Sequence, residues 1–428
     1  MLRVLVSAYA CEPERGSEPG VGWNWALQIA NFSETSVITR ANNRDAIEAE
    51  LAKHPVPGLR FIYFDLPRAL RFWKKGRRGL RLYYYLWQLG AYFVARRLHA
   101  RTRFHLAHHV TFVSYWAPSF LAFLPIPFVL GPVGGGESAP RQFWKSFSLR
   151  GMVYELARDF ARKLVRFDPL VRLTLRRAAT VLATTEETAE RLRHLGCRHV
   201  SVFSQVALSR DELAQMPGPR FNSTNTFRAV SAGRLVHWKG FEYGLRAFAF
   251  ALRRFPDSTY WLIGDGPERV RLAALVRTLG IVDHVRFLGT MPRRQVLENV
   301  ARCDLLIHPS LHDSGSCICV EAMATGVPVV CLDLGGPALQ VNDHTGVKVP
   351  ARSPQQVIED LAEAISSLAA DPLRRACLGT AAAKQVRERS LWEAKGELMA
   401  SIYNQVLQPK VPPSTACTFA HRPDYDSQ

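Results

Sequence analysis

Acidic residues are scarce in this sequence: 37 Asp and Glu stand against 55 Lys and Arg, a formal net charge of +18 over 428 residues. That balance predicts attraction to polyanions (nucleic acid, anionic lipid headgroups or phosphorylated small molecules) without choosing among them. Cysteine is sparse and unclustered. The eight cysteines include no C-x-x-C pair, and Cys317 and Cys319 have no second cluster with which to complete a metal site. An export signal is missing as well. The opening MLRVLVSAYA carries one basic residue and a short apolar alternation that runs into Cys11-Glu12-Pro13-Glu14. That is too short for a signal-peptide core and reads as a first strand, so free thiols point to a reducing cytosol. Nor is there an unbroken membrane span. Residues 110–130 lack charge and are long enough to cross a bilayer, but Pro118, Pro125 and Pro127 divide them and Gly131 follows at once. They read as buried strand, loop, short helix and strand. No RNP, zinc-finger, KH or helix-turn-helix pattern is present, so no nucleic-acid partner is expected.

What is there is globular: 47% of residues are hydrophobic and 21% charged. The length exceeds one ordinary core and favours two domains of roughly 200 residues each. Short apolar runs at 3–8, 36–39, 61–64, 106–110, 128–130, 180–184 and 200–203 read as strands. Helix-like stretches such as 21–31, 81–100 and 169–178 lie between them. A polar, proline-bearing stretch from Met216 to Asn225 reads as an interdomain linker. The alternation then restarts, with strands at 227–231, 258–263, 285–288, 305–308 and 327–331 and helices at 241–254, 268–279, 293–302 and 319–325. The economical fold is α/β: two Rossmann-like doubly wound domains, with ligands in the cleft outside the carboxyl ends of the strands. A last helix at 391–407 precedes a Pro-, Ser- and Thr-rich tail, 408–428, that is expected to be disordered. The D-x-D pattern Asp424-Tyr425-Asp426 within that tail reads as chance.

Three strand-end elements carry chemistry. Gly233-Arg234-Leu235-Val236-His237-Trp238-Lys239-Gly240 follows the first strand of the second domain. A guanidinium fork at Arg234 and a point charge at Lys239 suit a diphosphate. In His312-Asp313-Ser314-Gly315-Ser316, bare backbone N–H groups of Gly315 and Ser316 meet a helix N-terminus, which is a ready anion site. Glu321, eight positions beyond Asp313, sits in the first turns of that helix and can reach a ribose. Gly264-Asp265-Gly266-Pro267 opens another helix into the same cleft. In the first domain, Gly16-Ser17-Glu18-Pro19-Gly20-Val21-Gly22-Trp23 opens a helix whose amides, at Gly16 and Gly20, can face phosphates from the opposite wall.

In this order and spacing the elements, together with Phe287-Leu288-Gly289 and Glu321-Ala322-Met323-Ala324-Thr325-Gly326-Val327-Pro328, resemble the GT-B glycosyltransferases of the retaining family 4 type. Ala10-Cys11-Glu12-Pro13 and Gly131-Pro132-Val133-Gly134-Gly135-Gly136-Glu137 resemble a bacterial subgroup of them. The resemblance implies a nucleotide-sugar donor as co-substrate, with no metal or other cofactor. It implies diphosphate binding by Arg234 and Lys239, ribose binding by Glu321, and a grip on the transferred sugar by Asp313, Gly315 and Ser316. The first acid of the motif is usually glutamate. Asp313 is one methylene shorter, which moves its carboxylate by about an ångström. Family members often place a histidine near the sugar at the end of a mid-domain strand. His108 and His109 are the local candidates, and alternation puts one inward and one outward, with His109 preferred as the catalytic one. The expected organisation is an acceptor-side domain at 1–215, a linker at 216–226, a donor domain at 227–390, and the 391–407 helix returning to the first domain.

The basic and aromatic stretch 68–103 includes Arg71-Phe72-Trp73-Lys74-Lys75-Gly76-Arg77-Arg78 and Tyr83-Tyr84-Tyr85-Leu86-Trp87. Such a stretch suits an anionic membrane surface, where a glycan or lipid-linked acceptor is presented to a cytoplasmic, peripherally bound enzyme. Rival readings are a nucleotide-sugar epimerase or hydrolase of the same fold, and a non-catalytic basic lipid- or nucleic-acid-binding protein on a degenerate transferase scaffold.

Overall fold

The computed structural model describes residues 1–71, 73, 79–218 and 226–408. Phe72, the basic run 74–78, linker residues 219–225 and the tail from 409 onward, with its Asp424-Tyr425-Asp426, lie outside the described residues.

Two parallel sheets follow one another along the chain. β1 (Arg3–Ser7), β2 (Glu34–Thr39), β3 (Leu59–Tyr63), β4 (Leu106–His109), β5 (Phe128–Val133), β6 (Thr180–Ala183) and β7 (Val200–Val202) assemble in the order β3-β2-β1-β4-β5-β6-β7. β8 (Arg228–Ala232), β9 (Thr259–Ile263), β10 (Val285–Gly289), β11 (Leu305–His308), β12 (Val329–Leu332) and β13 (Gly346–Val349) assemble as β10-β9-β8-β11-β12-β13. Each sheet therefore reverses its winding once, beside β1 and β4 in the first and beside β8 and β11 in the second. At such a switch point the outgoing connections diverge and leave a crevice. β13 was not among the expected strands: Gly346-Val347-Lys348-Val349 is a short edge strand with too little apolar sequence to stand out.

Helices cover both faces. The first unit carries α1 (Ser17–Ala30), α2 (Arg44–Lys53), α3 (Leu80–Thr102), α4 (Leu149–Val165), α5 (Pro169–Arg177), α6 (Glu186–His194) and α7 (Arg210–Gln215). The second carries α8 (Phe241–Leu252), α9 (Arg269–Thr278), α10 (Arg293–Val300), α11 (Cys317–Ala324), α12 (Gly335–Gln340), α13 (Pro354–Ala370) and α14 (Pro372–Arg389). The last helix, α15 (Trp392–Leu407), packs on α1, with the Trp392 and Trp25 rings edge to face at 5.3 Å. None of the helices is long and apolar enough to cross a membrane among the described residues. Residues 110–130 form the loop after β4, a 3-10 turn at Phe120–Phe123 and the start of β5.

Double coverage corrects two expectations. Every residue of β4 is buried, so alternation does not turn one of His108 and His109 outward; both lie inside. A parallel strand with helices on each face has no wet side. Tyr83, Tyr84 and Trp87, expected on a basic surface face, are buried in the core of the first unit, while Arg71 pairs with Asp65.

Candidate active site

The cleft is built from the loops that leave the switch points. β8 ends at Ala232, and Gly233 donates its N–H to the Ile263 carbonyl at 2.9 Å, pinning the loop against the end of β9. The contact leaves no room for a side chain at Gly264, where a Cβ would meet the Gly233 carbonyl oxygen at 2.1 Å with φ at +126°. Steric exclusion and a left-handed backbone therefore account for the glycine turn that begins there. Arg234 is exposed at the lip of the cleft and, among the described residues, makes no ion pair. Lys239 closes the 3-10 turn His237–Lys239 and points inward, its Nζ 2.5 Å from Asp313 Oδ2.

Asp313 follows β11. Its Oδ2 also accepts a bond from His308 Nε2 at 3.2 Å. Burial opposes its charge, but the Lys239 ammonium and the His308 bond outweigh it and hold the carboxyl well below the usual carboxylate range. The carboxylate is thus the resident counter-ion of Lys239.

At the start of α11 the N-cap residue Ser316 is extended, and its side chain caps no backbone N–H. The helix begins at Cys317, two residues earlier than expected, so Gly315 and Ser316 lead straight into an uncapped first turn that faces the cavity. Glu321 follows in the second turn. Arg293 Nε, from α10, bonds its Oε1 at 2.7 Å, and the same guanidinium bonds Glu212 of α7. Burial alone would weaken the Arg293 charge, yet the two carboxylates raise its pKa above the ordinary arginine value.

The first unit supplies the opposite wall. Gly16 is the N-cap of α1 and has no side chain to cap it, so that helix also presents free N–H groups. At Gly20 a Cβ would meet the Arg15 carbonyl oxygen at 1.9 Å, which fixes glycine there. Glu18 accepts the Phe112 N–H at 3.1 Å and ties the loop after β4 to this wall. Gly16, Gly20, Arg234, Lys239, Asp313, Gly315, Ser316 and Glu321 all line one cavity of about 750 Å³ between the units.

His109 does not join them. Its Nε2 meets the Tyr84 hydroxyl at 3.0 Å and its Nδ1 the Ser119 hydroxyl at 2.9 Å, and burial lowers its pKa to about 4. His108 is equally internal. Its Nε2 lies 2.8 Å from the Gly131 carbonyl, which can only accept, so Nδ1 must accept from the Tyr403 hydroxyl at 2.6 Å. Burial lowers its pKa to about 3. Both rings lie inside the fold and neither lines the cavity.

Two carboxylates from the first unit complete the surroundings, and neither was singled out from sequence. Glu137 is buried and accepts hydroxyl bonds from Thr185, Thr188 and, at 2.8 Å, Ser314 next to Asp313. Its place at the end of Gly134-Gly135-Gly136 was the available signal. Glu155, on α4, accepts from His237 Nε2 and His312 Nε2, each at 3.1 Å. One side chain therefore grips both loops that carry Lys239 and Asp313. Trp238 stacks between Tyr154 and His312, at 5.3 and 5.2 Å, and seals the same junction.

Comparison with known proteins agrees with this geometry. Residues 15–204 match the family described as "Glycosyl transferase 4-like domain", and residues 218–385 match "Glycosyl transferases group 1". A D-inositol 3-phosphate glycosyltransferase of Corynebacterium diphtheriae is 31% identical over 240 residues, covering 52% of this chain and 55% of the relative. A GDP-mannose-dependent alpha-(1-6)-phosphatidylinositol monomannoside mannosyltransferase of Mycolicibacterium smegmatis is 29% identical over 181 residues, 40% of this chain and 46% of the relative. The chain thus spans about half the length of these relatives. Among solved structures, sucrose-phosphate synthase of Thermosynechococcus elongatus superposes with a TM-score of 0.63 at 18% identity, over 95% of this chain and 99% of that one. Anabaena HepE in complex with UDP superposes at 0.62 and 19%, over 95% and 100%. Two parallel α/β units closing on a strand-end cleft, matched along nearly the whole chain, place this protein among the group 1 glycosyltransferases, with the GT-B fold.

Proposed function

We propose that the enzyme transfers a sugar, with retention at the anomeric carbon, from a nucleotide diphosphate donor to a hydroxyl of a glycan or lipid-linked acceptor in cell-surface polysaccharide or glycolipid synthesis. The observation that carries this is the convergence, in one cavity, of Arg234, Lys239, two uncapped helix N-termini and Glu321. Two cations and two sets of N–H groups match the charge of a diphosphate. Glu321 has its Oε1 on Arg293, which leaves Oε2 for a ribose hydroxyl.

Lys239 and Asp313 then divide the work. An arriving diphosphate competes with Asp313 for the ammonium, and the released carboxylate is free to accept a hydroxyl of the transferred sugar. As the bond from the anomeric carbon to the phosphate oxygen breaks, Arg234, Lys239 and the amides of Gly315 and Ser316 stabilise the leaving diphosphate, so no metal cofactor is needed. The acceptor oxygen attacks from the same face, and its proton passes to the departing phosphate oxygen. Anabaena HepE, solved in complex with UDP, and the GDP-mannose-dependent relative support a nucleotide sugar without choosing the base. The phosphatidylinositol acceptor in one relative's name supports a lipid-linked acceptor, met by a cytoplasmic enzyme at the inner membrane face.

A melting panel with UDP, GDP, ADP and their sugars tests the donor, since a ligand that binds only the native state raises Tm. One base is expected to stabilise the protein, and slow donor hydrolysis is expected to vanish in Lys239→Ala. If no nucleotide shifts Tm, the proposal fails.

A further inference from the structure

Helix α4 faces the wrong way for a core helix. Leu149, Val153, Leu156, Phe160, Leu164 and Phe167, the last just past its end, recur at intervals of four, three, four, four and three, one continuous stripe. In a soluble helix that stripe belongs inside. Here all six side chains are between 53% and 77% exposed, while the opposite stripe buries Glu155 and Arg162. The charged stripe points inward because it has partners there: Glu155 on His237 and His312, and Arg162 on the Gly135 and Glu137 carbonyls. Nothing among the described residues covers the apolar one.

The charges around the stripe indicate what does. Arg150 and Lys163 on α4, Arg166 at its C-cap, and Arg172, Arg176 and Arg177 on the adjoining α5 are exposed. The acids of the same stretch are engaged: Glu155 is buried, Asp159 pairs with Arg162, and Asp168 caps α5 through the N–H groups of Leu170 and Val171. An apolar ridge flanked by exposed bases alone matches the boundary between anionic headgroups and acyl chains, and a soluble protein partner would demand no such one-signed rim.

We infer that α4 with the start of α5 is the element by which this enzyme docks on an anionic lipid bilayer. The ridge enters the acyl boundary and the bases contact phosphate headgroups. This places the docking element apart from the basic stretch 68–103, of which Tyr83, Tyr84 and Trp87 are core while Leu82 and Phe93 are exposed. It also puts the membrane one helix-width from the site, because the inner face of α4 holds His237 and His312 beside Lys239 and Asp313. The inference rests on the proposed reaction for its purpose, a lipid-presented acceptor, though its test stands apart from it.

The test is co-sedimentation of the full chain with phosphatidylcholine vesicles, with and without phosphatidylglycerol, at low and high salt. The wild type is expected to bind the phosphatidylglycerol vesicles, more weakly as salt rises. Leu156→Ser/Phe160→Ser is expected to lose about tenfold or more of that binding, and Arg166→Gln/Arg172→Gln to lose most of its salt dependence. These positions are exposed, so Tm without lipid is expected to be unchanged and serves as the folding control. Wild type left in the supernatant, or Leu156→Ser/Phe160→Ser sedimenting equally well, overturns the inference. So does a lipid-free dimer that the same substitution converts to monomer, since the ridge would then be covered by a second copy. If no nucleotide shifts Tm while vesicle binding depends on the ridge, the proposed reaction falls and the docking element stands.

Discussion

Glu155 Oε1 accepts a hydrogen bond from His312 Nε2 at 3.1 Å, although the two residues lie 157 positions apart in different units of the fold. Burial disfavours the Glu155 charge, but the bonds from His237 and His312 prevail and bring its pKa to about 2. A carboxyl depressed in this way contributes stability above its ordinary pKa near 4.5 and loses it as pH falls toward 2. Glu155→Ala leaves two buried imidazoles without their acceptor. We expect a loss of about 3 kcal/mol in unfolding free energy, read from the urea midpoint at unchanged m-value, and weaker nucleotide binding. Glu155→Gln, which keeps one acceptor oxygen, should lose roughly 1 kcal/mol. Equal stability of Glu155→Ala and wild type at pH 7 would show that the clasp is not formed in solution.

His108 and His109 make stability fall earlier on the acid side. Burial depresses both, to about 3 and about 4, while the unfolded chain takes up their protons near pH 6.5. The unfolded state therefore binds more protons between pH 6.5 and 4, and stability should decline steadily across that window. The urea midpoint measured at half-unit intervals checks the slope. His109→Gln, which removes one of the two titrating rings, should flatten it in part.

Lys239 Nζ lies 2.5 Å from Asp313 Oδ2. Removing the ammonium in Lys239→Ala should lower kcat/KM for the donor on the order of 100-fold. It should also raise the Asp313 pKa, since burial works against that carboxylate and the Lys239 charge does most to offset it. Lys239→Arg should rescue only partly, because a planar fork does not fit the point contact with Oδ2. Undiminished turnover by Lys239→Ala would remove it from the donor site.

The two glycines of the first-unit wall should behave differently. Gly16 has open space where a Cβ would lie and an ordinary φ of −77°, so Gly16→Ala should leave Tm within about 1 °C. At Gly20 the same atom would strike the Arg15 carbonyl at 1.9 Å. Gly20→Ala should distort the start of α1, lower Tm by several degrees and abolish the nucleotide-dependent shift, as melting curves with and without nucleotide will show.

Much of the cleft was legible because strand-end motifs are local. Gly233-Arg234, Lys239-Gly240, Gly264-Asp265-Gly266 and the Asp313–Glu321 spacing each lie within one loop and the first turns of its helix, so order along the chain already implies place at the switch point. The partners of those residues were not legible. Arg293 reaches Glu321 from another helix, His308 reaches Asp313 by folding back over five positions, and Glu137 reaches Ser314 across 177. No local pattern marks such pairs.

The sequence by itself determined the two-unit α/β alternation and the set of groups delivered to the cleft, because hydrophobic period and glycine turns act over a few residues. Only the tertiary structure decided which way buried and exposed faces turn. His108 and His109 both went inside because helices cover each face of β4. The apolar stripe of α4 went outside because its charged side found Glu155's two histidines and the Gly135–Glu137 backbone within the fold. Periodicity measures how sharply a helix is divided, and only the contacts it makes tell which half faces water.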